Sequence, residues 1–458
     1  MFETLYQDIP TALFVDLVVL AVCSIALLRY GRLAHSHPAM TYLVFHALVV
    51  PLRLFAVWAG AETLFAEWYF FEAVTEAELA RAAILFDLTL IIMTIAWIRA
   101  SAVDAKKQRA QVKNPKEGVL LSLPHIWAVV LIALPIGIAG LLLMGKIPGL
   151  ERPEMDLGAW EESSWLVITM TWSGLAIVAL IYWYGLRWWL LAPTCVYLTI
   201  IALQGYSRFR FVIPLILLAQ IYLDRRGKRW PTPMVLAVMA GVFVIFFPLK
   251  QIGRMTQTGA SLTEIRTTSS EIIDEAMAGK HGDQELLDQF ASSLTLIDRA
   301  GKFYYGSPYL VLATSPIPRQ WWAEKPGLAD FMREFSTPGR PMFEMGMVMS
   351  FVGDFYLNFG YIGIIVLSYL FAYTLARIYF RAYRANYFSV LRFAYLLVAC
   401  NLIQIYRDGL MSIIIFTCVN MMPLAAIVAL HYIGGRRRVR PYIRLPYYQN
   451  LKPTNQVE

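Results

Sequence analysis

Long apolar runs are the feature of this sequence that most constrains its fold. A helix of about 20 apolar residues crosses the hydrocarbon core of a bilayer, which is about 30 Å thick. Only 16% of the 458 residues are charged, far fewer than the surface of a soluble chain of this size requires. The sequence therefore predicts an all-α integral membrane protein with about eleven transmembrane helices. The predicted spans lie near 11–29, 40–60, 82–98, 122–144, 164–184, 187–204, 209–223, 233–250, 360–380, 389–406 and 410–432.

The charge of the linkers alternates along the chain and predicts an orientation. Acidic linkers occur at 62–78 and 151–162, whereas basic linkers occur at 29–32, 99–116, 225–229, 381–384 and 436–440. Cytoplasmic loops carry the excess of Lys and Arg, so the N-terminus should be periplasmic and the C-terminus cytoplasmic. We predict a multi-pass protein of the bacterial inner membrane. The net charge of +8 then reflects orientation and contact with anionic membrane lipid, and we expect no nucleic-acid partner.

One large hydrophilic segment, 251–344, divides the chain on its predicted outer face. It separates eight N-terminal helices (1–250) from three C-terminal helices (345–435), which a basic cytoplasmic tail (436–458) follows. This periplasmic loop should be partly helical, because a capping box at 268–271 precedes one amphipathic pattern. A second helix is predicted from an apolar stripe, and both helices could lie along the membrane plane. The stripe consists of Leu286, Leu287, Phe290, Leu294 and Ile297.

Several cations lie on the predicted outer side, against the usual distribution of positive charge. Cations in such positions usually have an anionic partner, which is either a local carboxylate or a phosphate. For Arg407 the adjacent Asp408 favours a local ion pair, whereas Arg208 and Arg210 have no acid nearby in sequence and favour a bound phosphate. The other outer cations considered for substrate binding are Arg254, Arg319, Lys325 and Arg340.

Three further charges, Asp16, Arg53 and Asp87, fall inside predicted spans at a similar depth. We expect them to form a buried Asp–Arg–Asp cluster that holds the first three helices together. The alternative is that this cluster extends an active cavity.

The sequence contains no motif for ATP-driven or metal-dependent chemistry. It has no GxxxxGK[ST] or HExxH pattern, and its four cysteines lie far apart inside apolar runs. We therefore predict no cofactor and no metal. Outer arginines and a few carboxylates suit a group transfer in which Arg neutralises a phosphate-bearing leaving group and a carboxylate accepts the acceptor's proton.

Three segments in order carry a resemblance to a known family. They are a tight outer turn with Ser207-Arg208, the stretch Pro316-Ile-Pro-Arg319…Trp322…Lys325-Pro326, and Gly353-Asp354-Phe-Tyr356-Leu-Asn358-Phe359-Gly360-Tyr-Ile-Gly363. Together they resemble the bacterial oligosaccharide repeat-unit polymerases, the Wzy-type O-antigen polymerase family. The resemblance covers roughly 200–410 by motif and the whole chain by topology.

The resemblance implies a GT-C-like polymerase or ligase architecture and a metal-independent glycosyl transfer. The donor would be an undecaprenyl-diphosphate-linked oligosaccharide, the acceptor a lipid-linked repeat unit, and a chain-length regulator a common partner. Arg208 and Arg210 would bind the diphosphate, with Arg319 helping from the loop. Asp354 and Glu344 are the candidates for the catalytic base. For Asp354 the alternative is a carboxylate that stabilises a helix N-terminus.

Three other functions fit parts of the same pattern. An O-antigen ligase would share the topology and the arginines, but would transfer finished glycan to lipid A core or protein. A lipid-linked sugar transporter or flippase usually has internal repeats and broken helices at mid-membrane, whereas this sequence shows no repeat and its charges gather at the predicted outer edge. A structural scaffold would leave Arg208 and Arg210 unexplained.

Overall fold

The computed structural model describes residues 8–61, 63–64, 74–110, 119–144, 168–203, 209–242, 286–314, 317, 321–322, 324 and 350–433. Within these ranges the regular structure is helical, apart from one isolated bridge between Leu120 and Ser389, so the all-α prediction is confirmed. The helices are α1 Ile9–Ala26, α2 Pro38–Val49, α3 Pro51–Trp58, α4 Glu76–Ala110, α5 Leu123–Met144, α6 Trp172–Tyr184, α7 Trp188–Leu203, α8 Phe209–Arg225, α9 Pro233–Val242, α10 Leu286–Ala300, α11 Ser307–Thr314, α12 Phe351–Arg384, α13 Val390–Ala399, α14 Leu402–Asp408 and α15 Leu410–Ile433.

Several of these helices identify a multi-pass membrane protein. In the part of the chain that the structure describes, six segments are long and apolar enough to cross a bilayer. Each of the eleven predicted spans overlaps a helix, but several of these helices are shorter, so the count of eleven crossings stays a prediction. The six segments are Ile9–Gly31, Pro38–Trp58, Glu76–Lys107, Leu123–Leu142, Phe351–Arg384 and Val390–Asp408.

Four of the five predicted basic linkers meet at one end of the bundle, which we call the basic end, and the fifth, at 436–440, lies outside the described residues. Asp104 near the end of α4 pairs with Arg32 at 3.9 Å and with Arg384 at 3.0 Å. The amide of His35 donates to the carbonyl of Arg229 at 2.9 Å. Linkers far apart in sequence therefore share one end, as the alternation of charge predicts, and the compartment which that end faces stays a prediction.

The opposite end, the loop end, carries the described helices of the large hydrophilic segment. α10 packs against α4 and α12. Its predicted apolar stripe is buried, and the ring of Phe290 lies edge-on to that of Phe86 with centroids 5.3 Å apart. The second predicted loop helix is thus confirmed, and its stripe packs against the long helices. The first one, after 268–271, lies outside the described residues.

Two arginines join α10 to the N-terminal helices. The guanidinium of Arg53 on α3 makes two bonds to the carboxylate of Asp288, at 2.6 and 3.0 Å, and both side chains are buried. Arg81 on α4 pairs with Asp298 at 2.5 Å in a more exposed position. These bonds position the loop helix over the bundle.

The prediction of an Asp16–Arg53–Asp87 cluster is therefore wrong for Arg53. The two aspartates do come together, but they contact His46 of α2, whereas Arg53 binds Asp288. The physical reason is that Asp288 lies 235 residues from Arg53, so no local pattern links them.

α12 begins earlier than the predicted span at 360–380. Ser350 caps the helix by accepting a bond from the amide of Gly353 at 3.2 Å. The apolar run that suggested a start at 360 follows a kink at Gly360, whose φ of 60° and ψ of −145° favour glycine. The kink also permits close approach, because a Cβ on Gly360 would lie 3.0 Å from the Phe303 ring.

The chain that follows α10 docks on the first turns of α12. The amides of Tyr304 and Tyr305 donate to the carbonyls of Leu357 and Asn358, at 3.2 and 2.9 Å. The side chain of Asn358 accepts from the amide of Gly306 at 3.0 Å. The segment 353–363 thus holds part of the large hydrophilic segment against the bundle.

The buried residues form two large cores. The first is built from α1 to α4, α10, α12 and α14, and the second from α5, α6, α8, α13 and α15. A smaller third cluster includes Tyr197 of α7 and Phe211 of α8.

Candidate functional site

A cavity of about 130 Å³ lies between α6, α7, α8, α13, α14 and α15. Most of its wall is apolar, and the polar side chains are few and separate. Binding sites for small molecules are commonly apolar concavities with a few polar groups that fix orientation. The polar members of the wall are Thr171, Tyr197, Arg210, Asn401, Gln404 and Asn420.

Arg210 is the one cation among the residues that line this cavity. It is partly buried in the first turn of α8, which begins at Phe209. The fully buried hydroxyl of Tyr197 on α7 lies within the electrostatic reach of its guanidinium. A guanidinium in an apolar wall is costly unless polar or anionic groups compensate it, so this position is typical of a functional arginine.

Three of the polar side chains of the cavity are held by hydrogen bonds within or beside the wall. Thr171 donates to the side-chain oxygen of Asn420 at 2.7 Å, which connects α15 to the start of α6. The side chain of Asn401 donates to the carbonyl of Leu397 at 2.7 Å. These bonds fix the polar groups around Arg210 before any ligand binds.

The structure brings Arg407 close to the start of α8. Arg407 pairs with Asp408 at 2.7 Å, so the local ion pair predicted for it is confirmed. Its guanidinium also lies over the ring of Phe209, 5.1 Å from the ring centroid. Phe209 directly precedes Arg210 in sequence. Gln404 donates to Asp408 at 3.1 Å and lines the cavity. Arg407 therefore lies close to the start of α8, in the last turn of α14.

Asp354 lies elsewhere, in the first turn of α12, and it does not line the cavity. It is 3% exposed, and its carbonyl accepts a bond from the side chain of Asn358 at 2.7 Å. Burial raises the pKa of Tyr309 above its ordinary value, and the nearby charge of Asp354 raises it further. Asp354 lies at the N-terminus of α12, which is the position required if its carboxylate serves to stabilise a helix N-terminus.

The remaining predicted site residues are not among the residues that the structure describes, so their place relative to the cavity stays a prediction. They are Arg208, Arg254, Arg319, Lys325, Arg340 and Glu344.

Sequence reasoning missed the neutral polar groups of the cavity and one histidine. Asn401, Gln404 and Asn420 each interrupt an apolar run, and His46 lies in the middle of the second predicted span. Polar residues inside spans are costly and therefore informative. The signal that marks them is therefore a neutral polar side chain inside a predicted span.

Comparison of the chain with protein-family models, with curated proteins and with solved structures finds no match.

Proposed function

We propose that this protein is a glycosyltransferase that polymerises lipid-linked oligosaccharide repeat units at the outer face of the inner membrane. The observation that carries the proposal is the guanidinium of Arg210 in an apolar cavity between membrane helices, with Arg407 over the ring of the preceding residue, Phe209. Arginine is the side chain best suited to bind phosphate oxygens in pairs. An undecaprenyl diphosphate supplies such an anion at this depth.

The two ends of such a substrate need different surroundings. The prenyl chain must stay in lipid, while the glycan must stay in water. A cavity between helices that has a cation close to the loop end meets both needs, because the diphosphate joins the two parts. The loop segments that dock on α4 and α12 would then cover the glycan.

The proposed reaction moves one glycosyl group. A hydroxyl oxygen of the acceptor's terminal sugar forms a bond to the anomeric carbon of the donor glycan, and the bond from that carbon to the diphosphate breaks. The bonding electrons leave with undecaprenyl diphosphate, whose charge Arg210 stabilises. The hydroxyl proton passes to a carboxylate. The candidates are Asp354, which lies in the first turn of α12 outside the cavity, and Glu344, which lies outside the described residues.

Arg210→Ala tests this proposal in the native host. The variant should reduce polymer by about a hundredfold, the usual cost of losing a charge-stabilising donor. Arg210→Lys should recover only part of the polymer, since lysine keeps the charge without the paired geometry. The measurement is the ladder of lipid-linked and surface glycan on a gel, at protein levels matched by immunoblot.

Arg226→Ala provides the matched control. This arginine lies in an exposed turn at the basic end, where it stacks on Tyr222, so its loss should leave the ladder unchanged. In the deletion strain, single repeats on the carrier would support a polymerase. Full-length polymer that stays on the carrier would instead identify a ligase. An unchanged glycan profile would overturn both.

A further inference from the structure

We propose that Asp16, His46 and Asp87 bind a divalent transition-metal ion between the N-terminal helices. The three residues come from α1, α2 and α4, so the ion would link helices that the chain forms in succession. No residue of these three helices lines the Arg210 cavity. The proposed ion is therefore structural and independent of the proposed reaction.

The geometry fits a shared ion. The Nε2 atom of His46 lies 2.8 Å from Oδ1 of Asp16 and 3.5 Å from Oδ1 of Asp87. One ligand atom from each of the three residues lies within 4.8 Å of the other two. Nitrogen and oxygen ligands bind zinc at about 2.0–2.2 Å, so two ligands of one ion lie about 3–4 Å apart. Small rotations of the carboxylates would complete the set.

The charges of the cluster call for a divalent cation. Two carboxylates and a neutral imidazole carry a charge of −2, and the three residues are 0%, 0% and 3% exposed for Asp16, His46 and Asp87. In the described part of the chain, neither aspartate pairs with a lysine or an arginine. A proton on His46 leaves one negative charge uncompensated inside the membrane core unless the two carboxylates share a second proton, whereas a divalent ion cancels both charges without any added proton.

Unsatisfied polar atoms around the cluster are a second, independent observation. Among the described residues, neither carboxylate oxygen of Asp87 has a hydrogen-bond donor, and Oδ2 of Asp16 has none either. The hydroxyl of Tyr42 is fully buried, also lacks a described partner, and lies within electrostatic reach of both aspartates. Buried polar atoms nearly always have partners, and an ion with a bound water would supply them here.

The donor set narrows the class of ion. One imidazole nitrogen and two carboxylates suit zinc or manganese, whereas calcium prefers six to eight oxygen ligands. With three protein ligands, further positions on the ion would be open to water. The buried hydroxyl of Tyr42, within electrostatic reach of both aspartates, is a candidate hydrogen-bond partner for that water.

The test is the metal content of the purified full-length protein. The chain is incubated in detergent with Zn²⁺ or Mn²⁺, freed of unbound metal by gel filtration, and analysed by mass spectrometry. About one ion per chain is expected. Asp87→Asn and His46→Gln should lower the content at least about tenfold, since even outer-shell changes weaken metal sites by that factor.

Asp104→Asn is the matched control, because Asp104 is a buried aspartate of the same helix at the basic end. It should keep the full metal content. X-ray absorption at the zinc edge of the unsubstituted protein should show nitrogen and oxygen ligands that include one imidazole. This measurement does not depend on whether any variant folds. No stoichiometric metal after loading would overturn the proposal and identify a hydrogen-bonded Asp–His–Asp group. Sulfur ligation, or full metal content in Asp87→Asn, would also overturn it.

Discussion

The buried ion pair between Arg53 and Asp288 allows the docking of the loop helix to be tested in energetic terms. Arg53→Met keeps most of the apolar stem of the side chain but removes the guanidinium. Asp288 is 0% exposed and would then keep a carboxylate without its arginine. We expect the variant to lose about 3–5 kcal/mol of unfolding free energy, the usual cost of breaking a buried pair at one partner.

The structure places this pair at the upper part of that range. The bond is bidentate, at 2.6 and 3.0 Å, and both side chains are at least 97% buried. Arg53 also donates to the carbonyl of Thr63 at 2.8 Å, and this bond is lost in the same variant. Charged hydrogen bonds of this kind are the strong ones in proteins.

A double-mutant cycle measures the coupling between the two residues. Arg53→Met, Asp288→Leu and the double variant are unfolded reversibly in mixed detergent micelles by increasing the fraction of denaturing detergent. The double variant should be more stable than either single variant, because it leaves no uncompensated charge. The half-exposed pair of Arg81 and Asp298 is the control, with an expected coupling of about 0–1 kcal/mol.

Two outcomes would refute this reasoning. Single variants that cost less than about 1 kcal/mol would mean that water reaches the pair, as it reaches surface pairs. A double variant that is as unstable as the sum of its single variants would mean that the residues act independently, so that the pair does not hold α10 on the bundle.

Three further predictions follow from other parts of the fold. Gly360→Ala should lower the unfolding free energy by about 2 kcal/mol or more in the same assay, because the backbone of Gly360 favours glycine and the Phe303 ring lies close. Its control, Gly301→Ala, should cost less, because Gly301 has a φ of 59° but no described atom within 4 Å of the added Cβ. Gly137→Ala should lower the unfolding free energy by about 1–3 kcal/mol, because the added Cβ would lie 2.2 Å from the backbone nitrogen of Ser173 in α6. Gly241→Ala is the control and should be near neutral, because no described atom lies within 4 Å of its added Cβ. A fluorescent protein fused to the C-terminus should fluoresce, and alkaline phosphatase fused within 62–78 should be active.

The helices were predictable because their signals are local. Runs of apolar residues long enough for a bilayer marked the spanning segments, and helical spacing marked α10 from five residues alone. The alternation of basic and acidic linkers also anticipated that the basic linkers meet at one end. Each of these inferences uses residues that are neighbours along the chain or share one rule of orientation.

The contacts that organise the loop end were not predictable in the same way. Arg53 has a nearer candidate partner in Asp16 or Asp87 by depth, yet it binds a carboxylate 235 residues away. His46 completes the aspartate pair, and although its place inside a span is unusual, nothing in its local sequence indicates that Asp16 and Asp87 are its partners. The start of α12 was missed because Gly360 separates an apolar run from nine preceding helical residues. Such features depend on which helices become neighbours.

α14 connects the two parts of the molecule that the proposals concern. Its Tyr406 packs in the first core, where its ring centroid lies 4.9 Å from that of Tyr42, beside the Asp–His–Asp cluster. Gln404 of the same short helix lines the cavity, and Arg407 reaches Phe209. Because α14 has only seven residues, a shift of the helix that displaces one of these side chains also displaces the others. Rigid packing around Tyr42 therefore helps to fix the positions of Gln404 and Arg407 near the start of α8, where Arg210 lies. The residues Asp16, His46 and Asp87 do not themselves line the cavity.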